Sequence, residues 1–344
     1  MSSDSRWELT TEAAASMLRA GGLVNSEVDI SVESLGGGVS NTVLQAQWDS
    51  GCAVLKQPLP NLAVEDEWPA DVTRVHNEAA AARVYYDVIV ASEIDAAVPR
   101  VLLEDKEKHV IAIECAPPDA VMWKRELLEG IVDSAVASLL GELLGAVQVA
   151  TTGDSTVRRK FAENRPFDQL RLDPYHRTTA ERHPDVAEEI LVEVDRISGI
   201  EETLVHGDYS PKNVLVDPDR VHPPWILDFE VAHWGDPAFD AAFMLNHLLI
   251  KSIFKHRRAH AYHDAARAFW TAYNGTVPWD VESEVVAELG VLLLARMDGK
   301  SPVEYVEDGA VAARIRRIAK QTIRSELNSV AGLLELAVME IDTL

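Results

Sequence analysis

The stretch Leu204-Val-His-Gly-Asp-Tyr-Ser-Pro-Lys-Asn-Val-Leu-Val216 constrains this chain more than any other. Apolar runs at Leu204-Val205 and Val214-Leu-Val216 hold a polar insert between them, from His206 to Asn213. A second short apolar run, Trp225-Ile-Leu-Asp-Phe-Glu230, carries Asp228 near its end. The pattern predicts a strand, a rigid loop and a hairpin. A carboxylate (Asp208), an amide five residues on (Asn213) and another carboxylate after the hairpin (Asp228) are what phosphoryl transfer requires. One carboxylate accepts or orients the proton of an attacking hydroxyl, while the amide and the second carboxylate hold magnesium on nucleotide phosphates. The competing reading, in which Asp208 and Asn213 merely cap turns, explains each residue singly. It does not explain why other groups of the same chemistry precede them in the right order.

Composition narrows the classes. At 344 residues the chain is too long for one small core, so two lobes are expected. The formal charge is −24, from 56 acidic against 32 basic residues, and such a surface repels nucleic acid and anionic membranes. Neither is expected as a partner. Cys52 and Cys115 stand far apart with no Cys-x-x-Cys pair, so neither a disulfide framework nor a structural zinc site is expected, and a reducing, cytoplasmic setting fits. Residues 1–7 show no basic-then-apolar leader pattern. The apolar stretches over 239–254 and 285–297 are interrupted by Asp240, Asn246, His247, Lys251 and Glu288, as in buried helices rather than membrane spans.

Upstream of the hairpin, 10–20 has helical periodicity and 28–35 alternates like a strand. Gly36, Gly37 and Gly38 follow, and alternation resumes over 39–46. A glycine turn between strands lets backbone amides approach phosphate without Cβ obstruction, although an ordinary hairpin looks the same. Lys56 closes the apolar strand Cys52-Ala-Val-Leu-Lys-Gln57. Asp71 is a candidate cap for a helix over about 72–88, and Glu78 within it is the candidate partner for Lys56, ahead of Glu65 or Glu67. Such a pair orients the lysine and keeps it charged. Residues 98–103 and 110–114 read as two strands, and Pro117-Pro118 mark a lobe boundary.

His206-Gly-Asp208, four residues, then Asn213 resembles the catalytic loop of aminoglycoside-phosphotransferase-type small-molecule kinases. The resemblance runs from Leu35 to about Phe243. It implies that Gly37, Gly38, Ser40 and Asn41 form a nucleotide loop, that Lys56 grips the phosphates with Glu78 orienting it, and that backbone at Glu114 and Ala116 meets the adenine edge. It also implies that Asp208 is the catalytic base, that Asn213 and Asp228 hold metal, and that Asp240 braces the catalytic loop. Within that superfamily, Lys56, Gln57, Leu59, Pro60, Trp68, Pro69, Arg74 and Glu78 are similar to the pattern of methylthioribose kinases. That likeness makes Trp68 part of a lid, Arg74 a substrate contact, Arg316 and Arg317 sugar-binding arginines, and Glu230 an assistant at the metal. Asn213 departs from it, since those enzymes carry a serine-type residue there.

The rest of the chain reads as helix: 127–149, with Gly141 and Gly145 allowing close packing, then about 186–197, and one or two helices over 312–341. The Arg- and His-rich stretch 158–184 supplies acceptor contacts or is a solvated insertion. His256, His260 and His263 share a helical face with zinc-like spacing, but Lys255, Arg257 and Arg258 surround them, and a solvated face is expected. Asp298-Gly-Lys-Ser301 is not a P-loop, because Leu294 stands where the first glycine must be.

These readings converge on an α+β, two-lobed protein-kinase-like fold. An N-terminal antiparallel-sheet lobe occupies 1–116 and a larger, mainly helical lobe 117–344. The function expected is ATP- and Mg2+-dependent phosphorylation of a hydroxyl on a small polar molecule, a methylthioribose-like or other pentose sugar first. An aminoglycoside or choline-type amino alcohol is the alternative, and a nucleotide-binding pseudokinase the third. Oligomeric state stays open, a homodimer included.

Overall fold

The computed structural model describes residues 7–36, 39–63, 68–325 and 327–341. Gly37, Gly38, Glu65 and Glu67 lie outside the described residues. Thr10 begins helix α1 (Thr11–Ala20) by accepting the Ala13 N–H on its side chain at 3.2 Å. Strands β1 (Ser31–Ser34), β2 (Asn41–Trp48), β3 (Gly51–Pro58), β4 (Val101–Asp105) and β5 (Val110–Glu114) then make one antiparallel sheet in the order β1-β2-β3-β5-β4. Alternation along β2 and β3 sends Leu44, Ala46, Ala53 and Leu55 to one face, where they pack with Ala14 and Leu18 of α1. Helix α2 (Arg74–Ser92) covers the other face through Val75 and Ala79, against Ile111 and Ile113. It starts two residues later than expected. Asp71 accepts the Thr73 N–H at 2.9 Å and so closes the turn before the helix instead of capping it.

The two cysteines correct the sequence reading. Cys52 and Cys115 form a disulfide, with 5.9 Å between Cα atoms. β3 pairs with β5 so that Ala53 faces Glu114, which sets the neighbouring pair, Cys52 and Cys115, side by side across the strands. Spacing in the chain says nothing about a cross-strand neighbour until strand order is known, so the inference from spacing to a reducing compartment loses its basis. A crosslink over 63 residues restricts the unfolded chain, and the loop-entropy account gives about 4 kcal/mol. Reduced protein should therefore unfold at a clearly lower urea midpoint than oxidised protein. Equal midpoints would exclude the bridge.

After the sheet come β6 (Val121–Met122), α3 (Trp123–Glu129) and α4 (Ser134–Thr151). The one helix expected over 127–149 is thus two, because Gly130 adopts a left-handed conformation (φ 85°) that ends α3. There follow α5 (Ser155–Lys160), α6 (Arg165–Phe167), a π-helical stretch (Asp168–Arg177), α7 (Thr178–Arg182) and α8 (Ala187–Gly199). The catalytic-loop strands are β7 (Thr203–Val205), β8 (Val214–Val216), β9 (Trp225–Ile226) and β10 (His233–Gly235). Helices α9 (Pro237–Phe254), α10 (Ala259–Thr276), α11 (Glu282–Asp298), α12 (Gly309–Arg324) and α13 (Val330–Ile341) complete the chain.

Small residues set the closest packing. A Cβ on Gly141 would collide with the Phe269 carbonyl, and one on Gly145 would lie 2.8 Å from Thr276 Cβ, so α4 and α10 touch backbone to backbone. α4 is the one helix among the described residues long and apolar enough to cross a membrane, and 56% of it is buried inside the protein. α9 is buried along nearly its whole length, which explains why its sequence is apolar all round. His263 of α10 is buried and meets Ser252 at 3.1 Å, so the expected solvated histidine face is not solvated there. No group of three or more His, Cys, Asp or Glu that could hold a metal occurs among the described residues.

Candidate active site

The polar insert is held rigid by its own backbone and by α9. Buried Asp240, at the start of that helix, accepts the His206 N–H at 2.6 Å and the Gly207 N–H at 2.9 Å. Gly207 has φ 76°, and a Cβ there would sit 2.7 Å from the Val231 carbonyl, so only glycine fits the turn. Burial draws the His206 imidazole down to about 4, and it is neutral. Its Nδ1 accepts the Asp208 N–H at 3.2 Å, which leaves Nε2–H to donate to the Leu227 carbonyl at 3.2 Å. One neutral ring therefore ties the two halves of the loop together.

Asp208 emerges from this frame buried and crowded on one side. Its Oδ2 takes Arg171 at 3.0 Å, Lys212 at 2.8 Å and the Asn213 amide at 2.8 Å. Its Oδ1 is buried and has no hydrogen-bond partner. Burial alone would raise this carboxyl, but Arg171 and Lys212 hold it down to about 2, so it is ionised at any working pH. Asn213 spends its amide nitrogen on Asp208, which turns its carbonyl oxygen into the group a cation would take. Asp228 follows two residues beyond β9 in a left-handed conformation (φ 68°), a strained backbone of the kind that clusters at functional sites. Its Oδ1 also lacks a hydrogen bond, and Lys56 reaches to 3.8 Å of it.

Lys56 comes from β3 in the other part of the molecule and is held by Glu78 of α2 at 2.5 Å. Burial alone would strip its proton, but Glu78 and Asp228 keep it charged, with its pKa raised above the ordinary lysine value. The orphaned Asp228 oxygen and the Asn213 amide oxygen are hard oxygen donors that fit a magnesium ion completed by phosphate oxygens and water, the usual mode for nucleotide sites and not an all-protein cage, while the Lys56 ammonium is placed for phosphate.

The remaining expected residues divide sharply. Asn41 gives its amide to Glu230 at 2.9 Å and to Ser40 Oγ at 3.0 Å, tying the start of β2 to the hairpin. Glu230 is less a free metal ligand than the far end of that tie, because Arg74 also holds it at 3.0 Å. Arg74 itself corrects the reading of it as a substrate contact. It is fully buried and spends four of its five N–H donors on Glu230 and the carbonyls of Asp71, Ser40 and Leu59, out of reach of an acceptor. Arg316 and Arg317 are likewise engaged, with Asp298 and with Glu340. Trp68 is half-buried, and its indole N–H donates to the Gln169 carbonyl at 2.9 Å, so its loop is fastened to the π-helical stretch. Glu114 spends its side chain on Arg100 at 3.0 Å and its N–H on the Arg100 carbonyl, while Ala116 lies half-buried just beyond the disulfide.

Sequence reasoning missed Arg171 and Lys212 as partners of Asp208. Lys212 had a readable signal, since a 3-10 turn over Pro211–Asn213 folds it back onto a residue four earlier. Arg171 had none. It arrives from the stretch 158–184, where a solvated insertion was an open alternative, and it is instead buried against the loop, donating to the Gly207 carbonyl at 2.7 Å.

Comparison with known proteins agrees with this geometry. In fold, the chain is similar to a choline/ethanolamine kinase family protein from Mesorhizobium loti (20% identity over 96% of this chain and 100% of that one, TM-score 0.54). It is also similar to the amicoumacin kinase hAmiN, solved with AMP-PNP, Ca2+ and Ami (15% identity over 94% and 98%, TM-score 0.55). No curated protein matches it in sequence. The sequence model of one family does match, over residues 31–274, a span that holds the sheet, the lysine pair and the whole catalytic loop; by that match the chain belongs to the phosphotransferase enzyme family.

Proposed function

We propose that this chain is a kinase that transfers the γ-phosphoryl group of ATP, with Mg2+, to a hydroxyl on a small polar molecule. The observation that carries the reading is the pair of buried oxygens without a hydrogen bond, Asp208 Oδ1 and Asp228 Oδ1, the second of them within 3.8 Å of Lys56. Lys56 holds the nucleotide phosphates and Glu78 aims it, while Asn213 and Asp228 hold the metal. Bound magnesium neutralises charge on the phosphates and aligns them for displacement. Asp208 Oδ1 orients the acceptor hydroxyl and takes its proton. A carboxylate with a pKa of about 2 is a weak base, so it receives the proton late, as a loose transition state allows. The lobes divide at 116/117, and the nucleotide lies between them.

A methylthioribose-like acceptor loses most of its support here, because three of the residues that suggested it (Arg74, Arg316 and Arg317) are engaged elsewhere. The hydroxyl-directed chemistry does not depend on them. Calorimetric titration with AMP-PNP tests the reading, which expects binding that requires Mg2+ and is abolished by EDTA. Glu78→Gln should weaken nucleotide binding by roughly tenfold, because Lys56, left with Asp228 at 3.8 Å, loses its close partner and with it its aim. Metal-independent binding, or a Glu78→Gln variant that binds normally, would overturn the assignment.

A further inference from the structure

Beside Asp208, Arg171 and Lys212 share that one carboxylate, and beyond them two further cations gather that have no acid to match. Tyr175, on the π-helical stretch, marks their centre. Arg171 stacks over the Tyr175 ring at 5.6 Å and Arg296 of α11 at 5.4 Å, with the Arg296 guanidinium also donating to the Tyr175 hydroxyl at 3.0 Å. Burial alone would raise that hydroxyl, yet Arg296, Arg171 and Lys212 together leave it below its ordinary value. Behind them lies Lys251 of α9, fully buried. Its ammonium meets the His247 carbonyl at 3.3 Å, the Tyr305 hydroxyl at 3.4 Å and the Tyr305 ring at 5.1 Å.

Neither Lys251 nor Arg296 has a carboxylate partner among the described residues. Arg296 is buried, bonds only Tyr175 and Ser301, and keeps a buried Nε with no partner. Burial, then Lys124 and Arg296, draws the Lys251 ammonium down to about 7. The acid that faces Lys251, Glu304, is already paired with Lys124; Asp173, on the stretch that carries Tyr175, is held by Lys300, and Glu288, on the helix that carries Arg296, by His176. In a chain with only 32 basic residues against 56 acidic ones, this convergence is not a composition effect. Leaving buried cations unpaired is costly, and the cost is offset when an anion binds.

We propose that the acceptor is a small hydroxy compound bearing a carboxylate or phosphate, and that Arg296 and Lys251, with Lys212 at the mouth, recognise its anionic group. This rests on the kinase reading and fixes its substrate class. A cationic acceptor such as an aminoglycoside or choline would meet repulsion here, and a neutral sugar would leave the cations unpaired. The segment 300–307 is held against the same cations, by Arg296 to Ser301, Lys124 to Glu304 and Lys251 to Tyr305.

The test is an ADP-release assay with hydroxy acids (glycerate, gluconate), a sugar monophosphate (ribose 5-phosphate), neutral sugars (ribose, methylthioribose) and cations (choline, kanamycin). An anionic compound should be the best acceptor, and whether it is an acid or a phosphate ester identifies the group. Lys251→Met and Arg296→Gln should each raise its KM by about tenfold or more, with the loss falling on KM rather than kcat. Lys251→Met should not lower the melting temperature, because it deletes a buried unpaired charge, whereas a purely structural lysine would lower it. If no compound is turned over, calorimetric titration of sodium sulfate into enzyme saturated with Mg2+ and AMP-PNP decides. Binding weakened by about tenfold or more in both variants supports the site; absent binding, or equal binding in the variants, overturns it. A neutral or cationic best acceptor, or an unchanged KM in both variants, overturns it too. Failure to bind AMP-PNP at all would sink the kinase reading instead.

Discussion

Replacing Asp208 by Ala should lower turnover by about a thousandfold or more while leaving AMP-PNP affinity within about threefold. The asymmetry follows from where the two oxygens point. Oδ2 is saturated by Arg171, Lys212 and Asn213 and serves the scaffold, whereas Oδ1 is buried and free. The nucleotide side is built from Lys56, Glu78, Asn213 and Asp228, and although Asn213 loses its bond to Asp208 Oδ2 in the variant, it keeps the one to the Asp208 backbone carbonyl. Alanine also strips the counter-charge from two cations, so part of its effect could be misfolding. Asp208→Asn separates the two, because it keeps the shape and one acceptor oxygen but cannot accept a proton. Turnover should fall nearly as far with Asn, while urea midpoints differ between the two variants. The pH profile gives an independent check. With Asp208 near 2, any decline in kcat between pH 7 and 4 arises from another group, and Asp208→Glu should not move that limb. Near-normal turnover in the Ala and Asn variants would show that the base is elsewhere.

The chain displays its chemistry more openly than its architecture. The loop from His206 to Asn213 was legible because contiguous residues carry it: a local backbone with Gly207 in a left-handed turn fixes His206, Asp208 and Asn213 relative to one another. The Lys56–Glu78 pair was legible for a similar reason, as one strand and the following helix bring it about. What stayed hidden depends on pairings between distant elements. The disulfide needed the β3–β5 neighbourhood, since β4 intervenes in sequence but lies outside β5 in the sheet. Arg171 needed a π-helical stretch with Pro174 inside it, which no helical periodicity announces. Lys251 and Arg296 sit within apolar helices, where a lone charge reads as an interruption of the core; only the absence of a partner acid shows it to be more.

Arg74 provides the second large effect. Arg74→Ala should destabilise the protein by about 3–5 kcal/mol, the range for removing one member of a buried ion pair. The guanidinium is fully buried and makes four bonds, one to Glu230 Oε2 at 3.0 Å and the others to the carbonyls of Asp71 (2.9 Å), Ser40 (2.6 Å) and Leu59 (3.0 Å). Those partners belong to the turn before α2, to the residues flanking β2 and β3, and to the hairpin that carries Asp228. Removing it leaves Glu230 buried with only Asn41, and strips the side-chain donor from three carbonyls, of which Ser40 and Asp71 keep a backbone N–H and Leu59 does not. Lysine does not restore the network, because one ammonium has three donors where the planar fork supplies four bonds here in a fixed geometry. Arg74→Lys should therefore recover little of the lost stability, and nucleotide affinity should fall in both variants as β2 and the hairpin lose register. A substrate-binding arginine predicts the opposite pattern: an unchanged urea midpoint and a raised acceptor KM. The two roles separate in one denaturation curve, since a buried clamp cannot be removed without cost to the fold and a surface contact can.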